Sequence, residues 1–204
     1  MDKKLRILII GGYGTLGKKV SHFFKEGHDV LIAGRNQGDY RLDINESKDI
    51  KSGLEEIGKV DAIVNIAGEA KWGPFDELTE ADYYIGLKSK LMGQVNLVRV
   101  GQDYLNKNGS ITLTTGILAD DPVFMTASAA MVNGGIHSFV KAASLELQHK
   151  LRLNVVSSGL VEDAYERYKD YFPGHHVIPM EKMVNGYARS VLGKGNGEVI
   201  RIYD

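Results

Sequence analysis

Short apolar runs rich in Ile, Val and Leu alternate along the chain with longer stretches in which apolar residues return every three to four positions. The short runs predict strands at Arg6–Ile10, Asp29–Ala33, Ala62–Asn65, Ser110–Thr114, Arg152–Val156 and Glu198–Ile202. Each is apolar at nearly every position, as a strand covered on both faces must be. The longer stretches predict helices at Thr15–Glu26, Glu46–Ile57, Thr79–Asn106, Met125–Lys150 and Pro179–Leu192. Leu16, Val20, Phe23 and Phe24 share one face of the first, and Ile136, Phe139, Val140, Ala143 and Leu147 one face of the fourth. Strands alternating with helices of this length predict parallel strands joined by right-handed crossovers. The expected fold is a single-domain α/β, Rossmann-type, doubly wound parallel sheet in a three-layer α/β/α sandwich, with no internal repeat or linker.

The segment 159–180 interrupts the alternation. It holds Tyr165, Tyr168, Tyr171, Phe172, His175 and His176 between a strand and a helix. Two readings fit: an irregular loop that packs aromatics onto the core, or a substrate lid, since loops at the carboxyl ends of parallel strands line the ligand crevice.

Composition narrows the picture. Twenty-five basic and 26 acidic residues leave a formal net charge of −1, which offers no general attraction to nucleic acid or an anionic membrane. The absence of cysteine excludes disulfides, thiolate metal sites and thiol nucleophiles. The adjacent His175 and His176 point apart in regular structure and have no evident third partner, so no metal is expected. The first apolar run, Ile7–Ile10, is too short for a signal-peptide core or a membrane span, and a cytoplasmic protein is expected. Glycine stands out, at 24 of 204 residues with only four prolines, so turns and close backbone approaches must account for it.

The most informative glycines lie in Gly12-Tyr13-Gly14-Thr15-Leu16-Gly17, directly after the first strand and opening the first helix. In this context G-x-G-x-x-G is a dinucleotide fingerprint. One glycine makes the tight turn, one admits the pyrophosphate, one lets helix and strand pack, and the helix N-terminus faces the phosphates. At the end of the second strand, Gly34 stands where an acidic residue would hold the ribose of NAD, and Arg35-Asn36 follows. A guanidinium there can pair with the 2′-phosphate of NADP, so NADP(H) is expected over NAD(H). Asp43, beside Ile44, either accepts from the adenine amino group or caps the helix near Glu46.

With those residues placed, the chain resembles the short-chain dehydrogenase/reductase family. Val64-Asn65-Ile66-Ala67-Gly68 is similar to the family's Asn-Asn-Ala-Gly segment. Gly109–Thr115, the helix ending Ser144-Leu145-Glu146-Leu147, and Val155-Val156-Ser157-Ser158-Gly159 follow in family order. The resemblance implies a cofactor crevice to which Asn65, Ala67, Gly68, Asn133, Ser158, Gly159 and Val161 contribute. It also implies a small carbonyl or alcohol substrate, and pairing of the third and fourth helices into a homodimer or homotetramer. The chain is shorter than the usual family member, with the missing length after Gly159.

The resemblance breaks at the family's Tyr-x-x-x-Lys pair. Ala129 falls at the tyrosine position and Asn133 at the lysine position, and no Tyr or Lys occurs from Asn108 to Val140. The family serine falls on Thr115 or Gly116, and its asparagine on Lys90. Thr115 and Lys90 are therefore catalytic candidates, Lys90 through the space of the absent lysine. Tyr165, four residues before Lys169, is a third, with Tyr168 and His175 as further acids. His137, eight residues beyond Ala129, is about 12 Å down a helix at 1.5 Å per residue and is expected to miss the cofactor. The resulting expectation is an oxidoreductase in the family sense only: an NADP(H)-binding protein with a non-standard or degenerate centre, weak on ordinary family carbonyls, with a non-catalytic dinucleotide sensor or scaffold as the alternative.

Overall fold

The computed structural model describes residues 3–147 and 149–204. In chain order its elements are β1 (Arg6–Ile10), α1 (Thr15–Lys25), β2 (Asp29–Gly34), β3 (Tyr40–Arg41), α2 (Ser47–Ile57) and β4 (Val60–Asn65). A helical run follows, made of α3 (Glu80–Gly86), a π-helical segment (Leu87–Met92) and α4 (Gly93–Gly101). Then come β5 (Leu105–Gly116), α5 (Ala127–Leu147), β6 (Arg152–Ser158), β7 (Leu160–Val161), α6 (Tyr165–Tyr168), β8 (Val177–Ile178), α7 (Met180–Leu192) and β9 (Val199–Ile202).

Seven strands form one sheet in the order β3-β2-β1-β4-β5-β6-β9, every pair parallel. The chain winds outward from β1 in one direction and returns to β4 on its other side. That reversal is the topological switch point at which α/β sheets open a ligand crevice. Alternation along the strands builds two cores. Leu8 and Ile10 face a layer containing Leu54, Leu97, Ile136 and Val140. Ile7 and Ile9 face the opposite layer with Val20, Phe24, Met183 and Tyr187. The three-layer, doubly wound sandwich expected from the alternation is the observed fold.

Several boundaries differ from the sequence pattern. β3 is an added strand of two residues, too short to leave an apolar run. The expected helix at Thr79–Asn106 starts at Glu80, behind a capping box formed by Thr79 and Asp82. It changes to a π turn at Leu87 and has ended by Leu105, where β5 begins. The polar residues Asn106 to Gly109 belong to that strand's irregular entry. Asn108 has φ 64°, and the pairing with β4 shifts register between Val60 and Ala62.

In the 159–180 segment β7 and β8 pair as a separate parallel ribbon. Trp72, from the loop after β4, meets the rings of Tyr168, Tyr171 and Phe172 at centroid distances of 5.3, 5.6 and 6.4 Å. The aromatics thus gather against a neighbouring loop at the carboxyl edge of the sheet.

Candidate functional site

The glycine turn divides its tasks among four residues. Gly11 takes φ +83° and makes the sharp exit from β1, a conformation that side chains with a Cβ rarely adopt. Gly12 packs inward, where a Cβ would lie 2.8 Å from both Ile32 and the Ser21 hydroxyl. At Gly17 a Cβ would overlap the Gly11 carbonyl oxygen and Gly12, so this residue carries the close approach of α1 to the turn. Gly14 is the open one, with a Cβ meeting only the Gly11 carbonyl oxygen at 3.4 Å. Sequence reasoning assigned the tight turn within Gly12–Gly17; the structure moves it to Gly11, since in a Gly-Gly pair the pattern cannot say which bends.

Gly14 is also the N-cap of α1. It supplies no side-chain cap, and the first turn has no acidic residue. Thr15 and Leu16 therefore present uncapped amides beside the turn, an arrangement suited to an anion. Tyr13 stands 44% exposed at the tip.

Two adjoining cavities share Gly68 and Glu69. The smaller, about 220 Å³, lies towards β2 and is lined by Gly11, Arg35, Asp43, Ile44, Asn45 and Ala67, among others. Arg35 is exposed and makes no hydrogen bond or ion pair among the described residues. Gly34 beside it has a steric reason: a Cβ there would lie 2.6 Å from the Gln37 carbonyl oxygen, because the chain folds back at once. No acidic side chain fits at that point. Asn36 is exposed in the fold-back and lines neither cavity. Asp43 accepts from the Asn45 amide at 2.9 Å, closing an Asx turn. It does not cap α2, whose N-cap is Glu46.

The larger cavity, about 530 Å³, lies over the ends of β5 and β6. Lys90, Thr115, Asn133, Ser158, Gly159 and Val161 all line it, and Ala129 shares the wall. Asn133 is 5% exposed, and its Oδ1 is buried with no partner among the described residues. Lys90 projects from the π turn, against Gly68 (φ +120°), where a Cβ would sit 3.3 Å from the lysine Cα and Cδ. Burial lowers the Lys90 amine to about 8. π turns inside helices concentrate at functional sites. Asn65 lies beneath, fully buried; its Nδ2 donates to the Ala67 carbonyl at 2.9 Å, and it lines neither cavity.

Three placements change the catalytic candidates. Tyr165 is 38% exposed and outside the cavity, with the Lys169 amine over its ring at 5.9 Å and paired to Glu166. The sequence spacing that suggested a Tyr/Lys pair therefore describes a surface cluster. His175 is held by Asp121 at 3.0 Å, also outside the cavity. Tyr168 does reach the wall, from the 159–180 segment.

His137, set aside on distance, is instead bonded to a candidate. Its Nε2 lies 2.8 Å from Thr115 Oγ1, and its Nδ1 lies 3.8 Å from Asp120. The separation of about 12 Å is a distance from Ala129 along α5; Thr115 at the end of β5 meets the middle of that helix at His137. Asp120 takes both the Nε and an Nη of Arg201, at 2.9 and 3.0 Å, and accepts from the Tyr203 hydroxyl. Chiefly for the Arg201 bonds, its carboxyl is lowered to about 2.

These geometries fit the comparisons. The profile of the family described as Enoyl-(Acyl carrier protein) reductase matches residues 24–183, most of the chain. The chain belongs to the short-chain dehydrogenase/reductase superfamily, and shares its Rossmann fold. The solved structure of the protein lin1944 from Listeria innocua is similar over 98% of this chain and 100% of its own, with a TM-score of 0.95 and 41% identity. A small-chain dehydrogenase solved in complex with NADPH has a TM-score of 0.86 and 26% identity, over 98% of this chain and 97% of its own. Glucose and ribitol dehydrogenase homolog 2 of Arabidopsis thaliana is 26% identical across 76% of this chain and 64% of its own. The chain spans between 46% and 64% of the length of the curated relatives it matches. No helix among the described residues is long and apolar enough to cross a membrane.

Proposed function

We propose that this protein is an NADP(H)-dependent oxidoreductase acting on a small carbonyl or alcohol, with acid–base chemistry that does not use the family's tyrosine and lysine. One observation carries the reading. A crevice at the switch point runs from Gly11 of the glycine turn and Arg35, unpaired among the described residues, to Asn133, whose buried Oδ1 has no partner among them, beside Lys90 and Thr115. A free guanidinium and an orphaned acceptor, spaced along one groove that begins at the glycine turn, suit a dinucleotide. The relative solved with NADPH supports the choice of cofactor.

When bound, NADP(H) would supply or accept the hydride. The chain's own groups do the rest. The amides of the Gly14–Gly17 turn hold the pyrophosphate. Arg35 pairs with the 2′-phosphate, and Asp43 and Ile44 line the adenosine side. Asn133 and Lys90 take the nicotinamide ribose hydroxyls in place of the family lysine. The 159–180 segment serves as the substrate lid, because Leu160, Val161, Arg167, Tyr168 and Phe172 line the larger cavity.

The test is calorimetric titration with NADPH together with NADPH-oxidation assays on a panel of aldehydes and ketones. Binding that Gly14→Val abolishes, with turnover on some member of the panel, is the expected result. No NADPH binding would overturn the reading. Binding without any turnover would instead support the sensor reading, which the lack of a phenol at Ala129 favours.

A further inference from the structure

A line of polar contacts leaves the larger cavity on the α5 face of β5 and ends at Asp120, next to Asp121, which holds His175 of the 159–180 segment. Thr115 forms part of the cavity wall although it is only 3% exposed. On β5, Thr112 and Thr114 face α7, where they bond the hydroxyls of Ser190 and Tyr187. Thr115 alternates to the α5 face and meets His137 Nε2 at 2.8 Å. His137, 5% exposed, turns its other nitrogen towards Asp120, whose side chain is one-third exposed. The contacts thus run from the cavity through a buried imidazole to a carboxylate at solvent. Behind Asp120 the Tyr203 hydroxyl continues to Ser157 Oγ at 2.7 Å.

The geometry points to Thr115, His137 and Asp120 as the proton-transfer line of this site, with Thr115 the group that exchanges a proton with the substrate oxygen and His137 its positioning and relaying partner. This rests on the oxidoreductase reading above. In the oxidative direction the substrate hydroxyl gives its proton to Thr115 Oγ1 as Thr115 gives its own to His137 Nε2. The carbon-bound hydrogen leaves with its electron pair to oxidised NADP. The products are the carbonyl compound, the reduced nicotinamide and an imidazolium, which releases its proton to water beside Asp120. Reduction runs the same transfers backwards and consumes an imidazolium.

The groups around His137 set its resting form. Burial disfavours the imidazolium. Asp120 pulls the other way, while Arg201 from β9 and Lys141 from α5 push against protonation. Arg201 largely neutralises Asp120 through its two bonds, so burial prevails and His137 titrates below its ordinary value. The carboxylate nearest Nδ1 favours the Nδ1–H tautomer, which leaves Nε2 as an acceptor for the Thr115 proton. The resting state is therefore set for alcohol oxidation near neutral pH.

Nitrogen-15 NMR of the histidine rings, assigned with His137→Asn, tests the ground state without turnover. The expected result is a neutral Nδ1–H ring titrating below about 6.5, whose Nε2 signal moves in Thr115→Val but much less in Thr115→Ser. Kinetics then test the role. Alcohol oxidation should rise through the His137 transition and level off, and carbonyl reduction should fall through it. Thr115→Val and His137→Asn should each lower kcat by about 10²–10⁴-fold and remove that limb, with NADPH affinity retained. Thr115→Ser should keep most of the rate and the limb. A ring protonated at neutral pH, an Nε2–H tautomer, or an unchanged pH profile in a folded His137→Asn or Thr115→Val protein would overturn the line while leaving NADP(H) dependence intact. Failure of NADPH to bind would overturn the function itself.

Discussion

Single side chains in this site answer to burial and to one neighbour each. The Asp120 carboxyl, bonded by Arg201 and Tyr203, is lowered to about 2 from an ordinary value near 3.8. A depressed carboxyl contributes stability that is fully present above its unfolded value and is lost as pH falls through the folded one. Melting temperatures followed from pH 6 downwards should therefore decline most between about pH 4 and 2, and Asp120→Asn should flatten that decline. Lys90 has the opposite sign. Its amine is lowered to about 8 by burial, so its charged form weakens the folded state below that value. Stability should gain as pH rises from about 8 towards 10, and Lys90→Met should remove the gain. A third residue-scale expectation concerns Gly17. Adding a methyl that overlaps the Gly11 carbonyl should cost at least the 1–3 kcal/mol typical of overpacking, read as a lower denaturant midpoint in Gly17→Ala.

Elements show how far the sequence could be read. The alternation of β-branched runs and helical stretches was enough for β1, β2, β4, β6 and the helices beside them, because each buries both faces or one broad stripe. It was silent on β3, since Tyr40 and Arg41 pair only at the sheet edge. It carried the third helix too far because Asn106 to Asn108 look like a helix end rather than an irregular strand entry. Nothing in Leu87–Met92 announces a π turn, which depends on how the run packs under Gly68 and over Thr114, where Gln94 donates to the carbonyls of Lys90 and Thr114 at 3.1 Å each. The glycine fingerprint, Arg35 and Asn133 were legible as candidates, and Arg35 and Asn133 line the crevice. His137 was not, because contact between a helix and a strand end depends on their relative depth, which spacing along one element does not record. The same helices make an assembly prediction. Tyr84, Ile85 and Met92 on the α3–α4 run and Met131 on α5 are each more than 40% exposed. Pairing of these helices between copies should give a homodimer or homotetramer in sedimentation, and a species of about 22 kDa alone at micromolar concentration would contradict it.

The whole molecule is a Rossmann sheet whose switch-point crevice is lined by Arg35 at one end and Asn133 at the other, and we propose that this crevice takes NADP(H). Parallel calorimetric titrations with NADPH and NADH, on the unmodified chain and on Arg35→Ala, test that proposal most directly. A charge-assisted bond to the 2′-phosphate is worth roughly 1.5–3 kcal/mol, so NADPH should bind about ten- to a hundredfold more tightly than NADH. Arg35→Ala should bring the two affinities together, chiefly by weakening NADPH. Equal affinities in the unmodified chain, or a ratio that Arg35→Ala leaves unchanged, would contradict the account.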